Sequence, residues 1–133
     1  MKRLLITVLV AITIYSCSDN TKEEKSLMND ILKVHEQVMA HDEALMKNKM
    51  KLDTLLKQKT DTAVVKTLEE KLTAADGAME KWMNGFQVDM TGKSHDEVMK
   101  YYTDQKKQVA AVDSQVNVAI KESDAYLSNH KIK

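Results

Sequence analysis

The chain has 133 residues with 20 basic and 20 acidic side chains, so it offers no net field to draw it to nucleic acid. One cysteine excludes an internal disulfide. With no proline, three glycines and abundant Lys, Glu, Ala, Leu and Met, the composition is that of a helical protein, and the apolar residues lack the period-two alternation of a sheet.

The chain opens with a basic pair, Lys2 and Arg3, followed by the apolar run Leu4 to Ile14. This is the pattern of a secretory signal peptide, expected over residues 1–16. A bilayer-spanning helix needs about 20 apolar residues, and the run meets "SDNTKEEK" well short of that. Ile14-Tyr15-Ser16-Cys17 resembles a bacterial lipobox, with Tyr15 a departure from the small or aliphatic residue usual at that place. The resemblance implies that Cys17 carries a thioether-linked diacylglycerol, that the preceding peptide is removed, and that the new amino terminus is acylated. Two or three acyl chains hold a protein stably, so the implied membrane attachment is through lipid. A lone cysteine without such a leader is most often a buried, inert thiol.

Residues 17–25 are expected to form a lipidated flexible tether, since their polar, acidic composition buries too little apolar area to fold. Ser18 is not the aspartate of the inner-membrane retention rule, and "SDNTKEE" resembles the acidic export signal of Bacteroidota-type surface lipoproteins. An ordinary acidic tether reads the same way. The expected location is the outer membrane, with the cell-surface face ahead of the periplasmic one.

From residue 26 to 133 the expected fold is all-α, an antiparallel three-helix bundle with coiled-coil-like heptads. Leu27, Ile31, Val34, Val38, His41, Leu45, Asn48, Leu52 and Leu55 follow alternating steps of four and three, the seam of a helix over about 26–57. Val65, Leu68, Leu72, Ala75, Met79, Trp82 and Phe86 repeat it over about 62–84. Val98, Tyr102, Gln105, Val109, Val112, Val116, Ala119, Ser123 and Tyr126 repeat it over about 95–128. Thr60, Asp61 and Thr62 are capping residues and the seam changes phase there, which favours a turn; a continuous helix with a three-residue stammer is the alternative. Gly85 suits a left-handed closure with Phe86 folding back, and Ser94 with Glu97 forms a capping-box pattern. The intervening loop carries Phe86, Val88 and Met90, expected to be exposed.

No phosphate-binding glycine loop, nucleophile elbow, zinc-protease motif or paired cysteine is present, and carboxylates at helical spacing usually form a solvated face, so no enzyme and no cofactor are expected. His41 and Asn48 interrupt the first seam, Asn48 in the manner of a residue that fixes register. His35 with Met39, Met46 with Met50, and His95 with Met99 stand four apart. Thioether and imidazole ligands at that spacing suit Cu(I) or Ag(I), the alternative to methionine as core filler. Beside the first seam runs a second stripe, Met28, Leu32, His35, Met39, Met46 and Met50. It either widens the buried face or leaves Met39, Met46 and Met50 bordering a contact for self-association or a partner helix.

With its lipobox, its length, its Lys/Glu-rich heptads and the stretch "MEKWMNGF", the chain resembles small Bacteroidota lipoproteins of the family called "viral A-type inclusion protein". That resemblance implies a helical lipoprotein and no particular activity. The expected function is therefore a lipid-anchored helical module that binds protein or spaces envelope components. The alternative is a soft-metal binding protein of the envelope.

Overall fold

The computed structural model describes residues 15–59 and 61–130, with side chains from Asp19 onward. The expected signal peptide through Ile14, the side chain of Cys17, Thr60 and Lys133 lie outside the described residues. Within them the chain is all-α, with α1 Tyr15–Met39, α2 Asp42–Lys57, α3 Thr62–Gly85 and α4 His95–Asn129. No helix among the described residues is long and apolar enough to cross a membrane.

The helix expected over 26–57 differs in two ways. It begins earlier, because Asp19 to Lys25 continue α1 instead of forming a flexible tether. Lys and Glu are good helix formers, Lys22 pairs with Asp19 one turn back, and Glu24 reaches His95 on α4 at 2.8 Å, so this segment has a partner that its composition does not reveal. It is also interrupted. His41 sits at φ −89°, ψ −7°, and its N–H donates to the Val38 carbonyl at 2.9 Å, a three-residue step that closes α1. Asp42 and Glu43 then occupy the first turn of α2, where carboxylates favour a helix start. No residue is inserted at the break, so Val38 and Leu45, seven apart, both stay buried.

A turn, and no continuous helix, separates α2 from α3. Lys59 (φ 56°) and Asp61 (φ 37°) are left-handed, and the Lys59 N–H closes on the Leu56 carbonyl at 3.0 Å. Asp61 holds the capping position of α3 without a capping side-chain bond. Its carboxylate instead accepts from the Tyr126 hydroxyl at 3.4 Å and lies 3.5 Å from His130 Nε2.

The end of α3 corrects the expected left-handed glycine. Gly85 remains helical, Phe86 is extended (φ −76°, ψ 122°), and its N–H reaches the Met83 carbonyl at 3.3 Å. What turns Phe86 inward is its ring, stacked on Trp82 with centroids 5.1 Å apart and followed by Tyr101 at 6.1 Å. The left-handed glycine is Gly92 (φ 82°), where the Lys93 N–H closes on the Met90 carbonyl at 3.1 Å. In the loop Val88 is exposed, whereas Phe86 and Met90 pack partly against the core, unlike the expectation for them. The capping box forms: Glu97 accepts from the Ser94 N–H at 2.8 Å, and Ser94 Oγ accepts from the Glu97 N–H at 3.4 Å.

The buried apolar residues, from Ile31 to Ala119, all belong to the three seams. Cross-element pairs of α4 climb with α1 and α2: Glu24 with His95, Asp30 with Lys106, Asn48 with Ser123. Those of α3 descend against α4, from Phe86 with Tyr101, through Lys71 with Glu122, to Asp61 with Tyr126. Burying a Leu or Val side chain contributes about 1.5–3 kcal/mol, so these seams supply the main favourable term in folding.

Candidate interaction surface

The side chains that the core leaves out define the surface of interest. Successive residues turn by about 100° around a helix. In α1 the second stripe flanks the seam: Met28 packs partly against the core, and the His35 ring lies 5.8 Å from Trp82. Leu32 and Met39, farther round, are 43% and 44% exposed. Beyond the break the stripe swings outward. Met46 lies about 100° and Met50 about 140° round α2 from buried Leu45, and they are 45% and 70% exposed. The stripe is thus divided: Met28 and His35 are half-buried, while Leu32, Met39, Met46 and Met50 are open.

Charged side chains frame the open part. Asp42, Glu43, Lys47 and Lys51 line a shallow depression around Met46 and Met50, with the acids toward the start of α2 and the bases toward its end. Among the described residues Glu43 and Lys47 share no ion pair, although they stand four apart in the favourable order. On the flank toward α3 Lys49 pairs with Asp76 at 3.4 Å, and in line with the methionines toward the end of α2 Lys57 pairs with Asp53 at 2.6 Å. These framing charges escaped sequence reading because each looks like an ordinary solvated helix position. Their four-residue spacing around two methionines was the available signal.

The residues considered for soft metal have other neighbours. His35 sits against Trp82, and His95 has Nδ1 2.8 Å from Glu24 and Nε2 3.7 Å from Glu23. Met99 is half-buried and Met39 exposed. Among the described residues no three or more His, Cys, Asp or Glu side chains gather as a metal-binding group.

The interruptions of the first seam also resolve. His41 is half-buried at the break, and Asn48 is buried and donates to Ser123 at 2.9 Å and to Asp124 at 2.8 Å. A second shallow groove runs between α3 and α4, lined by Ala78, Lys81, Trp82, Gln105 and Gln108 among others. The Trp82 Nε1–H is buried with no hydrogen-bond partner among the described residues. Comparison with family models, curated proteins and solved structures returned no match for this chain.

Proposed function

We propose that this chain is a non-enzymatic lipoprotein of the outer membrane, anchored through lipid on Cys17, that binds protein through the open methionine surface of α1 and α2. In this reading it is a closed antiparallel three-helix bundle in which α1 and α2 act as one rod. The observation that carries the proposal is the exposure of Met39, Met46 and Met50 on a helix pair whose core is already filled by other residues. Unbranched, polarizable methionines suit surfaces that bind by repacking. The lipobox resemblance at Ile14 to Cys17 supports the anchor. In this reading the end where Glu24 meets His95, with the loop before α4, faces the anchor, and the end where His130 meets Asp61 faces away from it.

The test replaces Met46 and Met50 by Lys and follows both the melting temperature and a photo-crosslink from position 39 in intact bacteria. An unchanged melt with loss of the crosslinked species is expected. A large drop in melting temperature would make these methionines core residues, and an unaltered crosslink would remove the surface from the binding role.

A further inference from the structure

We infer that the occupant of this surface is a second copy of the chain, docked α2 against α2 in opposite directions about a twofold axis that crosses the open face beside Met46, at the height of Leu45. The inference rests on the proposed binding role of the methionine surface and names its partner. A twofold contact uses one patch twice, so that patch must complement itself. The α2 surface has this property. Leu45 itself is buried, but with the axis crossing the open face at its height along α2, Glu43 stands two residues before that level and Lys47 two after, so Glu43 of one copy lies level with Lys47 of the other, twice by symmetry. Met39, at the end of α1, and Met50, five residues after Leu45 in α2, extend the apolar surface on either side of the axis. The two Met46 side chains flank the axis itself.

The charges fix the direction. Asp42 and Glu43 lie at one end of the depression and Lys47 and Lys51 beyond Met46, so only opposed helices set acid against base. A parallel, in-register pair would bring Asp42 and Glu43 against their own copies. Glu43 and Lys47 are free for the purpose, having no ion pair among the described residues. Opposed pairing also sends the two amino termini to opposite ends, so two anchored copies pair across facing bilayers or lie along one.

The test is sedimentation equilibrium of the full chain in mild detergent, using Asp42→Lys with Glu43→Lys, Lys47→Glu with Lys51→Glu, and an equimolar mixture of the two variants. The wild type is expected to dimerise, each variant alone to self-associate roughly tenfold more weakly or worse, and the mixture to recover pairing as a heterodimer. Circular dichroism verifies that each variant is folded. Should loss of the first-turn acids unfold α2, the lysine variant and Met46→Lys carry the comparison, both expected to be monomeric. A monomeric wild type, or pairing indifferent to these changes, overturns the inference. A crosslink from position 39 to a different protein, still lost on Met46→Lys, would overturn it while leaving the binding role intact.

Discussion

Asn48 of α2 and Ser123 of α4, 75 residues apart in sequence, share a 2.9 Å hydrogen bond inside the core. Ser123 passes the interaction on, donating to the Ala119 carbonyl at 2.8 Å, while the second Asn48 N–H reaches Asp124. A buried asparagine on a seam favours the one register in which its partners are present, at a cost in stability relative to an apolar residue.

Asn48→Ala is accordingly expected to destabilise the fold by about 1–3 kcal/mol, the range for breaking a buried polar pair. Asn48→Leu combined with Ser123→Ala, which removes both polar partners, is expected to be close to neutral or stabilising. Urea unfolding of the singles and the double checks this. A double variant as weak as the single alanine would show that the pair stabilises the fold outright.

Lys59→Gly should raise stability by about 1 kcal/mol, since a left-handed backbone costs a side chain roughly that much and glycine nothing. Lys59 makes its closing bond to Leu56 through its backbone, which glycine retains. Thermal melts followed by circular dichroism read the shift, and an unchanged or lower melting temperature would contradict the left-handed geometry.

The hydrogen bonds from Ser94, first that of its backbone N–H and then that of its hydroxyl, hold the Glu97 carboxyl below its ordinary range. A depressed carboxyl stabilises the folded state above its unfolded pKa, and that contribution is lost as pH falls through the folded pKa. An NMR titration of the Glu97 side chain should show the low midpoint, and Ser94→Ala should move it upward. A midpoint at the ordinary glutamate value in the intact protein would show that the box does not persist in solution.

Cys17→Ser should abolish incorporation of labelled fatty acid and leave an uncleaved precursor. Metabolic labelling and mobility on gels provide the readout. A serine variant that still matures and partitions into detergent would sink the lipid anchor.

Trp82 is buried between His35 and Phe86. Its fluorescence should therefore be blue-shifted and poorly quenched by acrylamide, and Trp82→Ala should cost about 3–5 kcal/mol. Emission at the position of free tryptophan in water would contradict this packing.

The sequence by itself determined the seams, because steps of four and three along a helix put Leu52 in α2, Leu72 in α3 and Val109 in α4 each on the seam face of its own helix, wherever that helix goes. It also determined the local endings carried by adjacent side chains, such as the box at Ser94 and Glu97. Tertiary structure decided the rest. Ala40 and His41 carry no glycine or proline signal, so the break between α1 and α2 was not legible there. The helical state of Asp19 to Lys25 involves a contact with His95, more than 70 residues away. Gly85 stays helical while the stacked Trp82 and Phe86 rings direct the chain inward. The open methionine surface follows the same rule. Periodicity gives the angle between Met46 and Leu45 on one helix, but only the packing of α3 and α4 against α2 fixes which angles are covered and leaves Met46 and Met50 outside.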